Sequence, residues 1–161
     1  MNFFVYILLS IIFSTQLMGV GDIRVQGRYT LAGVALWATI DDGDQNPNQV
    51  VTDFGTVLSG TTGERTYRIQ NRDDSETLTV TVDAVFDTPR SDSAEFTFPD
   101  FPTQNFTIAP GEDREFSIRY TPIEAETTTE IRIDSNSGSL GDSERVYTFA
   151  ITGKRTAVFS S

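Results

Sequence analysis

Residues 113–122 read DREFSIRYTP. Phe116, Ile118 and Tyr120 alternate with Glu115, Ser117 and Arg119, and successive side chains of an extended chain point to opposite faces, so three apolar groups share one side and three polar groups the other. The stretch predicts a half-buried strand. Thr121-Pro122 ends it, because proline has no N–H to give to a ladder.

The same alternation recurs on both sides of this segment. Leu78, Val80 and Val82 alternate with Thr77, Thr79 and Thr81; Ile131 and Ile133 with Glu130, Arg132 and Asp134; Tyr147, Phe149 and Ile151 with Thr148, Ala150 and Thr152. Shorter strands are expected at 22–25, 66–69, 96–98 and 106–108, where Thr, Val, Ile and aromatic residues dominate, as a pleated surface prefers. From Asp22 onward no stretch sustains a helical period. Ala109-Pro110-Gly111-Glu112 has the chemistry of a type II turn, with Pro presetting φ and Gly tolerating positive φ, and should reverse the chain between Ile108 and Phe116. Asn71-Arg72-Asp73-Asp74-Ser75 and Asn136-Ser137-Gly138-Ser139 are further polar breaks. One open sheet would leave half of these apolar faces wet, whereas two antiparallel sheets packed face to face bury all of them. The expectation is therefore an all-β sandwich of about seven to nine strands. Gly27–Ile40, GRYTLAGVALWATI, reads either as an edge strand or as a loop whose Trp37 plugs one end; the strand is preferred.

With 161 residues the chain has room for one domain of ordinary size. Its formal net charge of −11 repels phosphate backbones and anionic head groups, so nucleic acid is not an expected partner. Cysteine and histidine are both absent. Ser-His-Asp and Cys-His nucleophile systems, zinc sites built from these ligands, haem ligation by His and dithiol chemistry all fall away with them. The remaining acid or base groups are carboxylates and tyrosines, and a carboxylate hydrolase would need two acids facing each other across a cleft.

The chain opens MNFFVYILLSIIFSTQLMGVG, with an apolar run from Phe3 to Phe13 broken once by Ser10. Eleven residues are too few to cross a hydrocarbon layer, which takes about 20 as helix, so residues 1–21 are expected to be a signal peptide rather than an anchor, cleaved after Gly19 or Gly21. The sandwich then spans 22–153, with 154–161 as a flexible tail. The expected location is secreted, periplasmic or cell surface, with no membrane insertion of the mature domain.

Six pieces stand in a telling order: Thr52-Asp53-Phe54-Gly55-Thr56-Val57, Tyr67-Arg68-Ile69-Gln70-Asn71, Leu78-Thr79-Val80, Phe106-Thr107-Ile108-Ala109-Pro110-Gly111, Phe116-Ser117-Ile118-Arg119-Tyr120-Thr121-Pro122 and Tyr147-Thr148-Phe149-Ala150-Ile151-Thr152-Gly153. Together they resemble the choice-of-anchor D domain of exported bacterial proteins, which is akin to the ASPM, SPD-2 and Hydin modules and to the major sperm protein fold. The resemblance covers most of Ile23 to Gly153. It implies an immunoglobulin-like sandwich that serves as a spacer or binding module in a surface protein, and it carries over no catalytic residues. The Gly27–Ile40 segment is longer than the family's usual one.

Asp53-Phe54-Gly55 is the tripeptide that carries a magnesium-binding aspartate in protein kinases. Here no glycine-rich phosphate loop or catalytic-loop pair accompanies it, and the chain's one lysine, Lys154, stands near the end. Phe54 and Val57 are expected in the core instead, with Gly55 permitting a bend that Asp53 brackets. Asp42, Asp44, Asn46 and Asp53 form a calcium candidate, since they offer oxygens at the first, third, fifth and twelfth positions of a loop, although Pro47 stands where an EF-hand loop needs Gly. Asn105-Phe106-Thr107 is a glycosylation sequon. The Thr77, Thr79, Thr81 and Thr127, Thr128, Thr129 rows could line a flat ice- or glycan-facing surface, against which ordinary strand propensity accounts for them equally. The expected function is that of a non-enzymatic exported module, structural or adhesive, without cofactor. Its partner would be a protein or cell-surface component, self-association through a strand edge being one form. A small carbohydrate- or calcium-binding domain is the alternative.

Overall fold

The alternating segments pair as two sheets in the computed structural model, which describes residues 23–85, 95–100, 105–136 and 146–157. The expected signal peptide, residues 1–21, lies outside them. Among the described residues the strands are β1 (Ile23–Leu31), β2 (Val34–Ile40), β3 (Asp53–Leu58), β4 (Gly63–Asn71), β5 (Leu78–Val85), β6 (Phe96–Thr97), β7 (Asn105–Ile108), β8 (Asp113–Tyr120), β9 (Glu126–Ser135) and β10 (Val146–Thr156). One sheet runs β2-β1-β4-β8-β6 and the other β3-β10-β9-β5-β7. From β2 to β8 each strand is followed by one in the opposite sheet, and all strand pairings are antiparallel except that of β3 with β10. This is an immunoglobulin-like β-sandwich.

The opening stretch sits at its centre. β8 buries Phe116, Ile118 and Tyr120, and Phe116 stacks on its cross-strand partner Tyr67 with ring centroids 5.5 Å apart. Tyr67 in turn meets Phe149 of the facing sheet at 5.8 Å. From that sheet Val80, Val82, Ile131, Ile133 and Ile151 close the core. Each large side chain removed from water in this way contributes roughly 1.5–3 kcal/mol before its ordering entropy is subtracted.

Several features depart from the sequence expectation. The strands number ten among the described residues, because Gly27–Ile40 does not form a single edge strand: its first part belongs to β1 and its second is β2, joined as a hairpin. The Ala109–Glu112 turn forms as expected, with Gly111 at φ 71° and the Glu112 N–H donating to the Ala109 carbonyl at 3.1 Å. It carries the chain from one sheet to the other, however, since β7 pairs with β5 and β8 with β4. β10 continues past Gly153, where the sequence reading ends the sandwich, because parallel β3 supplies partners for Lys154, Arg155 and Thr156. The threonine rows are not both outward: Thr127 and Thr129 are buried and Thr128 is exposed, as the strand period requires of three consecutive residues.

Two core tyrosines make stability depend on pH. The Tyr67 hydroxyl donates to the Val51 carbonyl at 2.9 Å and the Tyr147 hydroxyl to that of Ile40. Burial pushes both phenols well above their ordinary range, and at Tyr147 the charges of Asp42 and Asp41 push further. In the unfolded chain both lose their protons near pH 10, while the fold holds them, so the stabilisation is complete below pH 10 and is lost as pH rises toward the folded values. We expect the unfolding free energy from urea denaturation, and the midpoint with it, to stay level between about pH 7 and 9; above that the free energy falls by up to ~1.4 kcal/mol per pH unit for each of the two tyrosines. A midpoint still level well above pH 10 would contradict this account.

Candidate functional site

Asp53, Phe54 and Gly55 do architectural work. Phe54 and Val57 are buried, Gly55 takes φ 68°, and the Asp53 Oδ1 accepts its N–H at 2.7 Å. The bracket around the bend is the one the sequence suggests.

The four calcium candidates lie on the loop between β2 and β3 and at its end, and their oxygens accept hydrogen bonds from the chain itself. Asp42 Oδ1 accepts the Thr148 N–H at 2.8 Å, Asp44 Oδ1 that of Asn46 at 2.9 Å, and Asn46 Oδ1 that of Asn48 at 3.2 Å. Asp44 also receives the Gln49 amide. Backbone bonds from Gly43 to Thr148 and from Ala150 to Asp44, both 2.8 Å, dock this loop along β10 ahead of β3. The carboxylates therefore shape successive turns and extend the sheet. Among the described residues no three acidic side chains converge as a metal cage would require. Raising calcium to about 1 mM, where weak extracellular modules bind, is expected to leave the melting temperature unchanged, and a calcium-dependent rise in a thermal scan would refute that reading of the loop.

The surface that stands out is the β1–β2 hairpin. Ala32 (φ 49°) and Gly33 (φ 81°) make a two-residue turn with both central φ values positive, the type I′ geometry whose twist matches that of the strands. β1 follows β4 only from Ile23 to Gly27. There Val51 packs over the backbone so closely that a Cβ on Gly27 would lie 2.4 Å from the valine's Cβ. Beyond that point the hairpin runs on with β2 alone as partner, leaving a cleft lined by Arg28, Tyr29, Thr30, Val50, Glu64, Arg65 and Thr66.

Its two faces differ. The inner face carries the cross-strand pairs Val25–Ile40, Gly27–Ala38, Tyr29–Leu36 and Leu31–Val34, buried at the first and open at the last, where Leu31 is 62% and Val34 57% exposed. On the outer face Arg24, Gln26 and Arg28 alternate along β1, and Trp37 stands opposite Arg28. The Arg68 guanidinium lies 4.4 Å from the centre of the Trp37 ring and donates through Nε to Gln26 Oε1 at 2.8 Å. Gln26 is buried and its amide reaches Thr39 Oγ1 at 3.4 Å. A tryptophan braced by arginine is a cation–π contact that sets positive charge beside an aromatic face on a chain of net charge −11. The sequence places Trp37 on the strand it prefers for Gly27–Ile40 but does not show this patch, because its members come from three strands.

Two buried polar residues also escaped notice. Asn71 donates to the carbonyls of Glu76 (2.7 Å) and Ile108 (3.1 Å), tying β4 to the end of β7 in the other sheet. Glu95 is fully buried, and its carboxylate accepts the N–H groups of Ile123 and Glu124 and the hydroxyl of Thr127. In sequence both look like ordinary loop residues.

No protein-family model matches the chain, and no curated protein does. Solved structures with a similar backbone include a PapD-like domain of human CEP192, with 11% identity over 68% of this chain and 83% of that one and a TM-score of 0.47. The periplasmic chaperone SfaE shares 12% identity over 68% of this chain and 58% of that one, also at 0.47. The CARDB domain of the PF1109 protein of Pyrococcus furiosus shares 12% over 88% and 97%, at 0.39.

Proposed function

We propose that the chain is a non-enzymatic exported module of the choice-of-anchor D kind, structural or adhesive, which makes protein contacts through the β1–β2 hairpin. The observation that carries this reading is the hairpin itself. It leaves the body of the sandwich at Gly27, ends in exposed Leu31 and Val34, and presents Trp37 between Arg28 and Arg68. Exposed aliphatic side chains beside a tryptophan and arginines are the composition of contact surfaces rather than of an idle rim. The calcium- or carbohydrate-binding alternative draws no support from the loop after β2, whose oxygens serve the backbone.

The test uses the chain in its own cell. A photo-crosslinking residue placed at the exposed Ala35 of β2 is expected to capture protein, and the same residue at the exposed Thr107 of β7, on the edge of the other sheet, to capture much less. Equal capture from the two positions would remove the hairpin as the contact site. Mass spectrometry of the exported product is expected to give a mature amino terminus at Val20 or Asp22, and retention of Met1–Gly19 on the exported chain would overturn the leader assignment.

A further inference from the structure

We propose that β2 is a self-pairing edge: two copies of this chain join antiparallel through it, about a two-fold axis at Trp37, making one continuous sheet from two. This rests on the reading of the hairpin as a contact surface and names its partner.

Sheet edges in stable monomers are guarded by shortness, charge, proline, glycine or a bulge. Among the described residues three of the four edges are. β6 has two residues and β7 four, while β3 carries Asp53 and the positive-φ Gly55, and its pairing with β10 shifts register between Thr152 and Lys154. β2 is seven residues, VALWATI, without charge, proline or glycine, and its register with β1 is unbroken from Leu31–Val34 to Val25–Ile40.

The turn fixes which backbone groups face outward. In a two-residue hairpin the pair that closes the loop exchanges both its hydrogen bonds, and bonded and non-bonded pairs then alternate. Val34, Leu36, Ala38 and Ile40 therefore turn their N–H and C=O groups to β1, and Ala35, Trp37 and Thr39 turn theirs to the free edge. Among the described residues no other strand or loop backbone bonds to these three.

The strand is symmetric in the sense that matters. Trp37 is its middle residue, so a dyad there sets Trp37 opposite Trp37 of the second copy, Ala35 opposite Thr39, Leu36 opposite Ala38 and Val34 opposite Ile40. All three outward-facing residues then lie in hydrogen-bonded pairs, giving about six backbone bonds across the join. The exposed Val34 gains an apolar neighbour, and no like charges stand directly opposite, which matters for two bodies of net charge −11.

The experiment is sedimentation velocity on the full chain from micromolar to several hundred micromolar, with Trp37, the sole tryptophan, reporting the join through its emission. We expect a concentration-dependent dimer with a blue shift of the tryptophan band. Ala35→Lys with Thr39→Lys places lysine against lysine twice across the dyad and should weaken the dimer at least about tenfold. Ala35→Glu with Thr39→Lys places opposite charges there and should restore it. Both positions are exposed, so circular dichroism is expected to show all variants folded. A wild-type chain that stays monomeric, an oligomer that survives the double lysine change as one held by the apolar leader would, or a folded Glu/Lys variant that fails to recover would each overturn the proposal. A monomer that still crosslinks to another protein from position 35 sinks the self-pairing and leaves the proposed function standing.

Discussion

Gly153→Ala is expected to destabilise the fold by about 3 kcal/mol, the upper end of what overpacking costs, and to lower the melting temperature by roughly 10 °C. Tyr147, Phe149 and Ile151 point inward from β10, and Gly153 is the next residue on that face. Its missing side chain is filled from the opposite sheet by the ring of Tyr120. A Cβ at Gly153 would lie 2.3 Å from Tyr120 Cε1, 2.6 Å from Cδ1 and 2.7 Å from Cζ. The ring cannot retreat, because it stacks on Phe96 at 4.8 Å and meets the edge of Phe54 at 5.9 Å, and no part of Tyr120 reaches solvent. Urea denaturation of the single variant measures the cost. In a Tyr120→Leu background the same glycine change should cost at least about 1 kcal/mol less, since the two residues share one space. Additive effects would show that the collision is not the cause.

Glu95→Ala is expected to cost about 3–4 kcal/mol, a loss of the size seen when a buried charged acceptor leaves several donors unmet. The carboxylate holds the N–H groups of Ile123 and Glu124 beyond the Thr121-Pro122 corner and the hydroxyl of Thr127 at the start of β9, while the Glu95 carbonyl accepts the Thr121 N–H at 2.8 Å. One residue thus fastens the segment that carries the chain from β8 in one sheet to β9 in the other. Glu95→Gln keeps the shape and one acceptor oxygen but turns an NH2 group toward donors, so it should fall between wild type and alanine. Thermal unfolding of the three proteins checks the order, and an alanine variant within about 1 kcal/mol of wild type would refute the capping role.

Both sites explain how far the sequence could be read. The alternation in β8, β5 and β9 and the Pro-Gly turn at 110–111 are local signals that the structure repeats, whereas β10 buries Ala150 and Thr152 on its expected wet side as well as Phe149 and Ile151. The Asp53–Gly55 bracket was legible for the same reason, since an aspartate two residues before a positive-φ glycine acts within one turn. Gly153, by contrast, reads only as the end of a strand. Its importance depends on a tyrosine 33 positions earlier in the chain, whose approach across the core no local pattern announces. Glu95 likewise looks like any acid on an acidic chain until residues 121–127 fold back over it.

The hairpin divides along the same line. Apolar residues at Leu31, Val34, Leu36 and Ile40 suggested strand, yet which residues lay at the edge depended on where β1 parted from β4. At that place Val51 lodges against Gly27, a contact between a loop and a strand in a different part of the chain. Amino-acid order alone determined that this protein is built of half-buried strands and is barred from histidine and cysteine chemistry, because side-chain period and composition are properties of the chain itself. Only tertiary closure decided which edge stays open, which polar groups are sealed inside and which arginines gather around Trp37, because each of these depends on distances between segments that the linear pattern does not encode.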